Sequence, residues 1–266
     1  LVYNRTQDKC RGLEEMGARV ADSPEELTRE CEVVITMLTG PQALEDVLFG
    51  QGGVAGGLDA DTFLVNMSSV PPSYTRELAR RLEHTGCRFL DAPVSGSKKP
   101  AEEGNLVVLA GGDFDLVESV RPIFEVLGRK VVHCGPVGQG SMMKMSINLL
   151  LGIMTEGLAE MINLGRQGGL DTNTLLDVVH SGPMSCGLFN LKGSMFSQGE
   201  YPAQFPLKHM GKDLKFILDT AYEQGAGIPA GHSVFQAYNA AWNQGLGDQD
   251  LAAIMQYLQK QSSGDS

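Results

Sequence analysis

Cysteine is sparse in this 266-residue chain, and what there is forms no framework. Cys10, Cys31, Cys87, Cys134 and Cys186 are odd in number, scattered, and nowhere spaced as Cys-x-x-Cys. A disulfide scaffold is therefore not expected, and a reducing cytoplasm is the expected setting. His84, His133, His180, His209 and His232 show no metal-ligand spacing, so no metal is expected either. Positive charge is also short. The 21 Lys and Arg stand against 32 Asp and Glu, a net charge of −11 and a pI near 4.9. A nucleic-acid or anionic-membrane binder needs clustered Lys and Arg for its phosphate contacts, so neither partner is expected. No apolar run approaches the ~18 residues of a membrane span; the densest are 33–38 and 147–154. The opening Leu1-Val2-Tyr3-Asn4-Arg5 lacks the form of a signal peptide. Internal repeats and low-complexity tracts are absent.

What is present points to a folded enzyme-sized chain. Hydrophobic residues make up 42% and charged residues 20%, enough to bury a sizeable core. The length fits one large domain or two ordinary ones. Glycine is abundant at 33 residues, so its placement is informative. The first half alternates β-rich runs with helical patterns. Strands are predicted at 1–3, 18–20, 32–37, 62–66, 88–90, 106–110 and 130–133. Helices are predicted at 6–16, from Ser23-Pro24-Glu25-Glu26 onward, and at 41–48, 72–84 and 114–127. Repeated β-α units imply a parallel sheet with helices on both faces. After Gly140 no strand is predicted. Residues 141–165 form a long stretch that is apolar nearly all round, the mark of a buried or interface helix. Further helices fit 172–180, 208–224, 230–244 and 251–259, with a frayed tail beyond. The domain boundary is placed within 135–140.

Five places carry residues with chemistry. Asn4-Arg5-Thr6 follows a strand and opens a helix. In a dinucleotide-binding sheet that turn meets the adenosine ribose, where an Arg accommodates the 2′-phosphate of NADP; otherwise it is a surface turn capped by Thr6. Asp91-Ala92-Pro93-Val94-Ser95-Gly96-Ser97 follows a strand, and its Ser and Gly amides either cradle a small anion or form an ordinary turn. Gly135-x-x-Gly138-x-Gly140 opens the long helix, as a hinge or as a close backbone approach beside a ligand. It is not the G-x-G-x-x-G fingerprint, whose spacing it reverses. Lys144 and Asn148 lie four apart on that helix and share one face. A Lys with an amide one turn on suits protonation of a developing alkoxide; the alternative is a Lys snorkelling at the helix edge. Lys212-Asp213 is either a solvated pair on different faces or a cleft pair, with the Asp anchoring Lys144 or the Lys holding cofactor.

Taken together, Asn4-Arg5-Thr6, Met67-Ser68-Ser69, the Asp91–Gly96 stretch, Gly135-x-x-Gly138-x-Gly140-x-x-x-Lys144-x-x-x-Asn148 and Lys212-Asp213 resemble the β-hydroxyacid dehydrogenase family. The order and spacing are family-like over nearly the whole chain. Ser95-Gly96-Ser97-Lys98-Lys99-Pro100-Ala101-Glu102 and Phe205-Pro206-Leu207-Lys208-His209 look most like the glyoxylate/succinic semialdehyde reductase branch. The resemblance implies an NADP-binding Rossmann-type domain at 1–137, an all-helical domain at 138–260, a tail at 261–266 and an active site between the domains. It implies Lys144 as catalytic acid, Ser95, Gly96 and Asn148 as substrate ligands, and Asp213 on the substrate side. Asn4, Arg5, Thr6, Ser69, Phe205 and Lys212 would contact NADPH, with Met37 and Leu38 near its adenosine and pyrophosphate. The implied reaction is NADPH-dependent reduction of a short carboxylated aldehyde, glyoxylate or succinic semialdehyde, by a homo-oligomer joined through the helical domain. 3-Hydroxyisobutyrate and tartronate semialdehyde are the alternative substrates. The family's G-x-G-x-x-G loop would precede Leu1, so a first, central strand, its phosphate loop and a helix are expected to be missing from a shortened chain. An inactive oligomerisation module is the alternative that this omission raises.

Overall fold

In the computed structural model, which describes residues 1–263, side-chain parity along short strands divides the core of the first unit in two. Strands β1 (Val33–Thr36), β2 (Phe63–Asn66) and β3 (Arg88–Asp91) pair in parallel register. Val34, Leu64 and Phe89 therefore share one face, where they meet Leu44, Leu48, Leu78 and Leu82. Val65 and Leu90 point the other way, to Val117, Val120 and Phe124. Strands buried on both faces read as apolar runs rather than alternations, which is why these three were legible.

The first unit comprises Leu1–Gly96 and Pro100–Lys144. Its helices are α1 (Arg11–Glu15), α2 (Pro24–Arg29), α3 (Pro41–Phe49), α4 (Pro72–Leu82), α5 (Lys98–Glu102) and α6 (Phe114–Leu127). Helix α2 starts as its sequence dictates: Ser23 Oγ accepts from the Glu26 amide at 3.1 Å, with Pro24 in the first turn. The remaining strands are β4 (Val94–Ser95), β5 (Leu106–Gly111) and β6 (Gly128–Gly135).

The sheet is mixed, a departure from the all-parallel one that the β-α alternation predicts. Strand β5 runs antiparallel to β3 and β4 and parallel to β6. The reason is the connection. A parallel return needs a crossover of about a dozen residues or more, usually a helix. The 14-residue α6 supplies one between β5 and β6; the link 92–105 between β3 and β5 is as long, but it carries only the five-residue α5 and the strand β4, which folds back antiparallel onto β5. The strands predicted at 1–3 and 18–20 reduce to one isolated parallel bridge, Val2 with Val20, outside the six-stranded sheet. Among the described residues β1 pairs only with β2, and Ile35 beside that open edge is 40% exposed.

The second unit comprises Ser97–Lys99 and the chain from Met145 onward. The 29-residue α7 (Gln139–Gln167) begins before this boundary and continues past it. It is followed by α8 (Thr172–Ser181), α9 (Gly187–Gln198), α10 (Leu207–Gln224), α11 (Pro229–Ala241) and α12 (Ile254–Ser263). Leu158, Ile162, Leu207, Met210, Leu214, Tyr238 and Ile254 form its core. Pro206 and Asp250 make an isolated antiparallel bridge. Residues 261–263, expected in a frayed tail, end α12; the rest of that tail, 264–266, lies outside the described residues. One expectation is corrected outright. Over an 18-residue window α7 reaches a mean hydropathy of 1.3, long and apolar enough by composition to cross a membrane. It is interrupted by buried Lys144, Asn148, Thr155 and Glu156 and packs into the helical core, which is how a central helix of a folded unit passes the same test.

Candidate functional site

Strands β1, β2 and β3 end in register at Thr36, Asn66 and Asp91. The loops that follow hold Met37–Leu38, Met67–Ser69 and Ala92–Gly96, so candidate residues from three segments collect at one edge. In open sheets, ligands bind beyond the carboxyl ends of parallel strands. Asn66 ties two of these ends together. Its Oδ1 accepts from Thr36 Oγ1 at 3.1 Å and from the Ser68 amide at 3.1 Å. Ser68 Oγ then accepts from the Leu38 amide at 2.9 Å. Leu38 and Ser69 are half-buried, while Met37 is 63% exposed.

The Asn4-Arg5-Thr6 turn lies at the start of the same unit. Asn4 Oδ1 accepts from the Thr6 amide at 2.9 Å, a local Asx turn. Thr6 is the N-cap residue of a short 3₁₀ turn, Gln7–Cys10, that leads into α1, and its side chain makes no capping bond, a correction to the expected hydroxyl cap; the Asn4 side chain takes that structural part. Arg5 is exposed and makes no ion pair with another described residue. A fixed turn presenting an unpaired guanidinium fits an anionic ligand group.

Asp91 is fully buried. Its Oδ1 accepts from the Gly138 amide and its Oδ2 from the Ser141 amide, both at 2.7 Å. Burial pushes its carboxyl above the usual range, and those two amides pull it back. Ser95 ends β4, half-buried, and Gly96 follows at φ +132°. A Cβ on Gly96 would meet Leu106 Cδ2 at 2.7 Å and Pro100 Cβ at 3.1 Å, so only glycine keeps this backbone. Lys144 is 9% exposed on α7.

In the second unit Asn148 Nδ2 donates to Asp213 Oδ2 at 2.7 Å, with both residues 1% exposed. Lys212 Nζ lies 3.2 Å from Asp213 Oδ1 and 5.3 Å from the Phe216 ring centroid. Of the two alternatives for Lys212-Asp213, the solvated pair on different faces does not match this geometry. The long Lys side chain reaches back to a buried carboxylate. Phe205 is held by a residue the sequence did not flag. Asp250 Oδ2 accepts from the amides of Gln204 and Phe205 at 3.0 Å each. Its Oδ1 takes the Lys192 ammonium at 2.6 Å in a pair that is 3% and 0% exposed. Nothing local announces that pairing, because 58 residues separate its members. Among the described residues no group of His, Cys, Asp or Glu is placed to hold a metal.

Comparison with known proteins gives these positions a context. The family profile described as the NAD binding domain of 6-phosphogluconate dehydrogenase matches residues 1–135. The one described as NAD-binding of NADP-dependent 3-hydroxyisobutyrate dehydrogenase matches residues 138–258. The chain is 38% identical over 255 residues to glyoxylate/succinic semialdehyde reductase 1 of Arabidopsis thaliana, covering 96% of this chain and 88% of that protein. It is 36% identical over 265 residues to the chloroplastic reductase 2 of the same plant, covering 100% of this chain and 74% of that one. Among solved structures it resembles 3-hydroxyisobutyrate dehydrogenase of Mycobacterium tuberculosis with L-serine. There the TM-score is 0.86 at 27% identity, covering 96% of this chain and 89% of the other.

Proposed function

The chain belongs to the β-hydroxyacid dehydrogenase family of NAD(P)-dependent oxidoreductases, and from that premise we propose that it reduces a short carboxylated aldehyde, glyoxylate or succinic semialdehyde, with NADPH. The observation that carries the substrate reading is identity of 38% and 36% to two reductases named for those substrates, over nearly the whole chain. Bound NADPH would supply hydride to the carbonyl carbon. The chain's own part is the proton and the orientation. Lys144 is nearly desolvated, and its ammonium donates to the oxygen as charge develops there. Ser95 and Gly96 present a hydroxyl and backbone amides for the substrate carboxylate. Asn148 gives one amide hydrogen to Asp213, which fixes the plane of the group and leaves its carbonyl and second hydrogen to orient substrate. Asp213 acts on the substrate side through Asn148.

Each residue assigned to the cofactor carries chemistry that suits an anionic dinucleotide. Arg5 offers an unpaired guanidinium for a 2′-phosphate, Ser69 a hydroxyl at the end of β2 and Lys212 an ammonium. Met37, Leu38 and Phe205 offer apolar contact. A homo-oligomer is proposed on the exposed side of α7, where Ile147, Leu150 and Leu164 are 37%, 52% and 76% exposed.

The reading is tested by following NADPH oxidation with glyoxylate, succinic semialdehyde and tartronate semialdehyde, and 3-hydroxyisobutyrate oxidation with NADP. The first two substrates should give the highest kcat/KM. Lys144→Ala should lower kcat by about 10²–10⁴-fold with little change in NADPH affinity; a variant retaining most of its kcat would remove Lys144 as the proton donor. Arg5→Asp should weaken NADPH far more than NADH, measured as separate Kd values by nicotinamide fluorescence. Equal losses would refute the NADP assignment of that turn.

A further inference from the structure

Resting on the reading of Lys144 as proton donor, we infer that Asp91 is the residue that fixes Lys144 relative to the Ser95–Gly96 loop. A helix leaves its first amides without carbonyl partners. In α7 the Ser141 amide, and just before the helix the Gly138 amide, are met by one carboxylate, at 2.7 Å each. Most caps come from the residue just before the helix. This one comes from the end of β3, 47 and 50 residues earlier. It therefore joins two parts of the proposed site. Four residues after Asp91 the chain reaches Ser95; three residues after Ser141, one helical turn, it reaches Lys144.

The surroundings leave the carboxylate no slack. A Cβ on Gly111 would lie 2.4 Å from Asp91 Oδ1, and one on Gly140 would lie 2.3 Å from the Leu109 carbonyl. On the other side Thr75 Oγ1 and Ser141 Oγ bond at 2.8 Å, which ties α4 to the same turn. The negative charge also suits the positive end of a long helix. Asp91 acts through α7 and is a positioning residue. Asparagine has the same shape but one acceptor fewer, so Asp91→Asn turns an NH₂ toward a backbone N–H and leaves that N–H unmet.

The experiment compares the wild-type chain, Asp91→Asn and Ser141→Ala by amide hydrogen exchange and steady-state kinetics. In Asp91→Asn the Gly138 and Ser141 amides should exchange about tenfold faster or more, with β2 and β5 protected as in the wild type. Its kcat should fall about 10–100-fold, with KM for NADPH changed by less than about threefold. Ser141→Ala keeps the backbone bond but loses the hydroxyl's bonds to Thr75 and Asp91, so it should move both readouts less than Asp91→Asn. Unchanged exchange in Asp91→Asn overturns the inference, as does faster exchange with kcat within about twofold of wild type. If Asp91→Asn does not fold, the wild-type chain decides alone. Its Gly138 and Ser141 amides should be as protected as the β2 amides, and free exchange of the two refutes the clamp. A wild-type chain that reduces none of the carbonyl substrates refutes the proposed function, while the exchange comparison still tests the clamp.

Discussion

Glu156 carries a carboxyl into the core of the second unit, where it is 5% exposed and its Oε2 has no hydrogen-bond partner among the described residues. Burial, and then the like charge of Glu160, push its carboxyl from 4.5 up to about 7. The folded chain thus keeps a proton that the unfolded chain releases as pH rises from 4.5 to about 7. More protons bound in the folded state means that stability falls with rising pH across that window. Glu156→Gln should remove this part of the pH dependence. It should be more stable than wild type at pH 8 and closest to it near pH 5, by urea denaturation at both values. Equal stability differences at the two values would show that Glu156 ionises normally. Glu156 went unread in the sequence because an acid on an apolar helix shows its position but not its desolvation. Lys144 and Asn148 were legible because one helical turn puts them on one face. Asp213 reads in the sequence as half of a Lys-Asp motif, yet its bond to Asn148 spans 65 residues. Asp91 was visible only as the start of a Ser/Gly loop, and its two amide donors are a property of the folded chain.

At the scale of elements, the readable ones carry local signals. Helix α6 is predicted at 114–127 and found there, with Asp113 accepting from the amides of Asp115 and Leu116. Helix α7 is longer than predicted by two residues at each end, because Asp91 supplies its cap from elsewhere and Gln139 and Gly140 can therefore join the first turn. Strand β4 and helix α5 were missed; both are too short to show a period. Helix α9 was missed for another reason. Its sequence Gly-Leu-Phe-Asn-Leu-Lys-Gly-Ser-Met-Phe-Ser-Gln has two glycines, no side-chain cap and no clean apolar stripe. It is stabilised by tertiary packing, with Lys192, Met195 and Phe196 buried. The buried Lys192 is tolerable only because Asp250 meets it. The mixed direction of the sheet was hidden by the same limit. Alternation of β and α runs shows which residues form strands, while the element that fills each connection, a full helix or a returning strand, decides their direction.

On the scale of the whole molecule, two units with separate cores share one continuous helix, and the polarity of that helix changes along its length. Near its start the buried positions include the polar Ser141, Lys144 and Asn148 beside Met145; farther along Thr155 and Glu156 give way to Leu158, Ala159 and Ile162. The opposite side leaves Ile147, Leu150 and Leu164 exposed, with half-buried Met154 and Met161 between them. The spacing 147, 150, 154, 161, 164 follows a seven-residue repeat of a helix seam. A chain of net charge −11 gains nothing from leaving such a seam in water, and in the proposed homo-oligomer a second copy would present the same seam to it. A stable interface buries about 1,200–2,000 Å² in total, more than these side chains alone supply, so neighbouring surface must join it. Placing charge in the seam should then separate the copies, since a buried carboxylate without a partner is costly. The double variant Leu150→Glu, Leu164→Glu should sediment as a monomer at micromolar concentration where the wild type sediments as a dimer or larger. Its thermal unfolding should stay cooperative, because both positions are exposed within one chain. A monomeric wild type, or a double variant that sediments with it, would remove α7 as the seam.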